Sequence, residues 1–169
     1  GNPIRSDLLI GNLDSISAKQ RLGFNTTHPL ILVLGGSRGS QKVNDFIIQN
    51  LSDFLAVAQI FHQVGENNLK SFKSQTESNS YKFRGNLDAQ NLSDAFRAAD
   101  LVISRAGAGA IFEIAVFQKP AILIPLSGSA NNHQKINAYE YAKSGAAIVI
   151  EETNLQFNLV VTQIENILK

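Results

Sequence analysis

The sequence predicts an α/β protein built on an open, mostly parallel, six-stranded sheet with helices on both faces. Short β-rich apolar runs alternate with amphipathic helical stretches from about residue 30 to the end. The first run, Leu30-Ile31-Leu32-Val33-Leu34, is apolar without a break, as a parallel strand covered on both faces should be. Six such β–α units follow one another, a pattern that argues for one parallel sheet.

The elements follow in order. Gly35-Gly36 closes the first strand, and Val43, Phe46, Ile47 and Leu51 then recur at helical spacing. A second strand fits residues 57–64. A polar helix and an Asn/Ser-rich loop are expected over residues 66–80, then a short strand over 81–84. Leu92, Ala95, Phe96 and Ala99 mark a helical face, and Leu101-Val102-Ile103-Ser104 reads as a strand. Ile111, Ile114 and Ala115 mark a helix that Lys119-Pro120 ends. Ala121–Ile124 is a strand stopped by Pro125, and a helix over 136–143 ends at Gly145, a C-terminal capping glycine. A strand over 147–150 precedes a last helix with Phe157, Val160, Val161, Ile164, Ile167 and Leu168 on one stripe. Right-handed crossovers bring every strand-to-helix loop to the carboxyl edge of the sheet, where ligands bind in such folds.

Composition narrows the function classes. With 169 residues the chain has one domain's worth of core, and 17% charged residues with a net charge of +1 point to no nucleic-acid partner. It has no cysteine, so disulfides and thiolate metal sites are excluded. No apolar run approaches the ~18 residues of a membrane helix. The first residues lack the apolar core of a signal peptide. The chain has no methionine, and the expectation is a fragment cut from a longer protein.

Three strand-to-helix junctions carry the chemistry. Gly35-Gly36-Ser37-Arg38-Gly39-Ser40 lets backbone approach a ligand, and Ser37 with free N–H groups can hold an anion; a merely tight turn explains the glycines equally well. Ser104-Arg105-Ala106-Gly107-Ala108-Gly109-Ala110 again places bare N–H groups at a helix start, where a diphosphate would meet donors and the positive end of the helix dipole. Glu113, further into that helix, can accept from a ribose diol or simply pair with the helix dipole. Arg105 can pair with phosphate or serve the structure. In Ser127-Gly128-Ser129-Ala130-Asn131-Asn132-His133-Gln134, Asn131 or Asn132 can cap the next helix, and His133 is read as a hydrogen-bonding or capping residue rather than a base. His28 and His62 are given no function, and no metal ligand set is assigned. No Ser–His–Asp order, no HExxH and no catalytic carboxylate pair is present, so the domain reads as a holder of a nucleotide.

Together these junctions resemble the C-terminal, donor-binding domain of the bacterial peptidoglycan GlcNAc transferases that convert lipid I to lipid II, in glycosyltransferase family 28. The matching pieces are Gly1-Asn2-Pro3-Ile4-Arg5, Gly35–Gly39, Ser104–Ala108 with Glu113, and Asn132-His133-Gln134 with Asn137-Ala138. Arg38 stands where the family usually has Gln. The resemblance implies one Rossmann-like half of a GT-B fold, with residues 1–29 an interdomain linker and lead-in segment and 30–169 the nucleotide-sugar-binding domain. It implies that Ser37 and the backbone of Ala108, Gly109 and Ala110 hold the diphosphate of UDP-GlcNAc, with Arg5 near the phosphates. Gly36, Arg38, Arg105 and Gly107 join the donor site, Leu87 lies by the uracil, Glu113 binds the ribose, and His133 and Gln134 contact GlcNAc.

No catalytic residue is expected in this chain and no cofactor is required; a role for Mg²⁺ is left open. The missing N-terminal domain would supply the lipid I site, the membrane-facing patch and the base, placing a cytoplasmic protein at the inner face of the cytoplasmic membrane. The rival readings are the catalytic subunit of a two-chain dolichol-linked GlcNAc transferase, a nucleotide-sugar epimerase or hydrolase, and a nucleotide-binding regulatory module.

Overall fold

The computed structural model describes residues 11, 13–36, 39–75, 77–128 and 132–169. Among these described residues there are six strands: β1 (Leu30–Leu34), β2 (Gln59–Gln63), β3 (Tyr81–Arg84), β4 (Leu101–Ser104), β5 (Ala121–Leu123) and β6 (Ala147–Val149). They pair in the order β3-β2-β1-β4-β5-β6, every pairing parallel. The described residues also form seven α-helices, α1 (Ser15–Leu22), α2 (Gln41–Gln49), α3 (Leu51–Leu55), α4 (Ala89–Ala98), α5 (Ala108–Val116), α6 (Asn132–Ala142) and α7 (Phe157–Leu168). The expected parallel α/β sheet is therefore the observed fold.

Alternation along the central strands divides the core into two layers. Leu30, Leu32 and Leu34 point to one face of the sheet, where Ala18 of α1, Phe96 of α4 and Ile114 of α5 meet them. Ile31 and Val33 point to the other, against Val43 and Ile47 of α2, Phe54 of α3 and Ile164 of α7. Each of these residues is fully buried or nearly so. Burying one such aliphatic side chain contributes about 1.5–3 kcal/mol, so a continuous apolar run is what a central parallel strand requires.

The helix starts are capped by their own sequence. Asp14 Oδ1 accepts from Ser17 N at 2.7 Å, and Asp88 Oδ1 from Asn91 N at 2.7 Å. Ser40 Oγ accepts from Val43 N at 3.3 Å. Gly107 begins α5 with no side-chain cap. At the opposite edge of the sheet, Asp100 Oδ2 accepts from Leu30 N and from Lys19 Nζ, both at 2.8 Å, and so ties α1 to β1 and β4.

The structure departs from the sequence reading in places. No element was expected before residue 30, yet α1 packs against α4 and buries Ala18. The single helix expected after β1 is two: Asn50 breaks it at φ −117°, and its side-chain amide donates to Phe46 O at 2.8 Å. The polar helix expected after β2 is a pair of short 3-10 turns, Glu66–Asn68 and Ser71–Ser74. Gly145 adopts φ +79° in the turn after α6. Among the described residues no helix is long and apolar enough to cross a membrane.

Candidate functional site

The chain leaves β1 for β2 and β3 on one side, then returns to β4 on the other. In such sheets this reversal opens a crevice at the carboxyl edge, between the loops that diverge from the two central strands. A cleft of about 740 Å³ lies there.

The loop after β1 forms one wall. Gly35 N donates to Gln63 O at 3.2 Å, and Gly39 N donates to Gly36 O at 2.9 Å, closing a turn ahead of α2. Gly39 has φ +72°, and a Cβ there would run into the Val64 carbonyl and the Asn68 amide, so only glycine fits. Behind this wall is a buried polar chain. Asn44 Nδ2 donates to Val64 O at 2.9 Å, so its Oδ1 is the acceptor facing His62 Nε2, also at 2.9 Å. This network assigns the proton to Nε2 and leaves Nδ1 to accept from the Tyr81 hydroxyl at 3.2 Å. Burial pushes the His62 pKa down to about 3, so the ring is neutral and structural.

The second wall is the start of α5. Gly107, Gly109, Ala110 and Glu113 line the cleft there. At Gly107 and Gly109 the space a Cβ would occupy is open for at least 4 Å, so the packing of the protein does not demand either glycine. Within a helix, Gly109 costs about 0.5–1 kcal/mol relative to Ala. A ligand approaching this backbone closely would account for both residues.

Arg105 also lines the cleft, but its guanidinium is engaged. Nη2 lies 2.5 Å from Glu152 Oε1, an ionic contact rather than an aligned hydrogen bond, and Nη1 donates to Ile124 O at 3.2 Å. Burial alone would raise the Glu152 carboxyl. Arg105, Ser127 and Lys42 outweigh that and hold it below its ordinary value.

Gly36 and Leu87 line the cleft from the loops after β1 and β3, and Gln134 from α6. Gln134 Oε1 accepts from Leu126 N at 3.1 Å, an arrangement that leaves its amide NH₂ as the donor. Ala108 and His133 are exposed at the starts of α5 and α6 and are not among the lining residues. Asn132 is the first residue of α6. Arg5, Ser37, Arg38 and Asn131 lie outside the described residues. Sequence reasoning missed Gln63 and Asn86, which meet across the rim at 3.4 Å, and Glu152 behind the wall. The available signal was position: Gln63 is the last residue of β2, and Asn86 and Glu152 come shortly after β3 and β6. Among the described residues, no group of three or more His, Asp or Glu side chains is placed to hold a metal ion.

Comparison with known proteins gives consistent matches. A transferase of Clostridium botulinum (strain Loch Maree / Type A3), named UDP-N-acetylglucosamine–N-acetylmuramyl-(pentapeptide) pyrophosphoryl-undecaprenol N-acetylglucosamine transferase, is 37% identical over 157 residues, covering 92% of this chain and 43% of its own length. The Clostridium perfringens (strain ATCC 13124) protein of the same name is 36% identical over 171 residues, covering 100% of this chain and 46% of its own length. The chain thus spans less than half the length of these relatives. The crystal structure of Acinetobacter baumannii MurG superposes with a TM-score of 0.74 at 23% identity, over 98% of this chain and 47% of that one. The solution structure of ALG13 shares the fold at a TM-score of 0.55 and 20% identity, over 82% of this chain and 86% of that one. The model of the glycosyltransferase family 28 C-terminal domain matches residues 30–169, and the chain belongs to that family.

Proposed function

We propose that this chain is the donor half of an inverting N-acetylglucosaminyltransferase that takes UDP-GlcNAc and glycosylates lipid I. The carrying observation is the pair of glycines at the start of α5, which the protein's own packing does not require and which leave its N–H donors open to the cleft. In this reading the diphosphate rests on Ala108, Gly109 and Ala110, with Ser37, Gly36 and Arg5 beside it. Glu113 takes the ribose hydroxyls, and the uracil lies by Leu87. The Gln134 amide donates to hydroxyls of GlcNAc, with His133 and Arg38 flanking. The 37% and 36% identical relatives, named for this donor and acceptor, support the assignment.

The acceptor hydroxyl attacks the anomeric carbon from the face opposite the diphosphate, and UDP leaves. Negative charge grows on the leaving group in the transition state. The N-terminus of α5 faces that charge with fixed dipoles, the preorganised stabilisation that lowers such barriers. A second, amino-terminal domain supplies the lipid I site, the base and the contact with the inner face of the cytoplasmic membrane. Residues 1–29 then serve as the linker and lead-in, and 30–169 as the donor domain.

The test is transfer of labelled GlcNAc to lipid I by the full-length protein, with and without Glu113→Ala. Transfer by the native protein, cut at least about tenfold by the substitution, is expected from loss of a charge-assisted pair of hydrogen bonds. Transfer by the 169-residue chain alone, or an unaffected variant, contradicts the proposal.

A further inference from the structure

We propose that Glu152 is a positioning residue for the diphosphate site: it ties down the loops around the cleft and cancels the charge of Arg105, so that at this wall phosphate meets only uncharged N–H donors. The inference rests on the donor reading above and specifies how that site handles charge.

Three other segments converge on this one carboxylate, whose side chain is 3% exposed. Arg105, from the loop after β4, reaches Oε1 at 2.5 Å. Ser127 N, from the loop after β5, and Lys42 Nζ, from the first turn of α2, each reach Oε2 at 3.3 Å. Glu152 itself follows β6. The carboxylate therefore fixes loops from across the carboxyl edge relative to one another.

The second consequence is electrostatic. A buried guanidinium needs an anion, and a phosphate at this wall is a natural one. Here the anion is built in: one Nη faces Glu152 and the other donates to Ile124 O. A ligand phosphate gains Arg105 only by displacing a carboxylate already in contact. Lys42, the other cation at Glu152, is 68% exposed and stays solvated. At this wall the diphosphate is then held by the α5 backbone without Arg105, which favours release of the nucleoside diphosphate after each turnover.

Titrating the native chain, Glu152→Gln and the neutral pair Arg105→Gln/Glu152→Gln with UDP and with uridine tests this, because the ratio of the two affinities isolates the diphosphate. A loosened structure would weaken both ligands together and leave that ratio unmoved. Glu152→Gln is expected to raise the preference for UDP over uridine about fivefold and to steepen its salt dependence. The neutral pair should keep the native preference within about twofold. It removes both charges together, so it carries the test alone should Glu152→Gln fail to fold. A drop of tenfold or more in the neutral pair's UDP preference would make Arg105 a direct phosphate ligand and overturn the proposal; so would an unchanged ratio in a folded Glu152→Gln. A native chain that binds neither UDP nor uridine overturns the donor reading instead, and this inference with it.

Discussion

Replacing His62 by Gln tests the buried polar chain behind the first wall. The ring is fully buried between Asn44 and Tyr81 and packs edge-on against Phe72 at 5.7 Å. Its pKa falls from the ordinary 6.5 to about 3 because burial penalises the imidazolium. Above the unfolded value the ring is neutral in both states and contributes no pH dependence. As pH falls below it, the unfolded chain binds a proton that the folded chain refuses, so stability declines until the folded value is reached. The slope approaches about 1.4 kcal/mol per pH unit, and about 2 kcal/mol is lost between pH 7 and pH 5. Gln keeps a donor for Asn44 Oδ1 but deprives the Tyr81 hydroxyl of its acceptor, at a cost of about 1–3 kcal/mol at pH 7. Urea unfolding followed by circular dichroism at pH 7 and pH 5 measures both effects. The native chain should lose about 2 kcal/mol more than His62→Gln over that interval. His28, His133 and every carboxylate are common to the two proteins and drop out of the difference. Equal losses would refute the reasoning, since the ring would then titrate alike folded and unfolded.

Further predictions concern two glycines and a helix cap. Gly39→Ala forces a Cβ against the Val64 carbonyl at φ +72° and should cost about 2 kcal/mol or more, measured as a lower urea midpoint. Gly109→Ala has open space for its Cβ and should stabilise the chain by about 0.5–1 kcal/mol while weakening UDP binding. A variant that gains stability and keeps full affinity would remove the argument for close ligand approach. Ser40→Ala deletes the α2 cap and should cost about 1 kcal/mol in the same unfolding assay.

The strands were legible where burial on both faces leaves an unbroken apolar run, as in Leu30–Leu34 and residues 101–103. Helix α1 was not, because it buries little beyond Ala18 and the stem of Lys19 and shows no apolar stripe to read. The 3-10 turns after β2 are not legible because a polar stretch gives no period, and Gly65 at φ +86° starts them without a side-chain cap. The cleft itself was legible, since right-handed crossovers gather the strand-to-helix loops at one edge. What decides the state of Arg105 was not. Its partner Glu152 is distant in sequence and adjacent only because β4, β5 and β6 lie side by side. Motif spacing reports which residues share a loop, and says nothing of the charge that another loop brings to them.

Calorimetric titration of the chain with UDP-GlcNAc, repeated on Glu113→Ala, tests the central claim most directly. The account predicts binding by the native chain and an affinity at least about tenfold weaker in the variant. Native binding that survives the substitution undiminished would contradict the placement of the donor's ribose at the start of α5, and no binding by the native chain would contradict a donor site held on this domain.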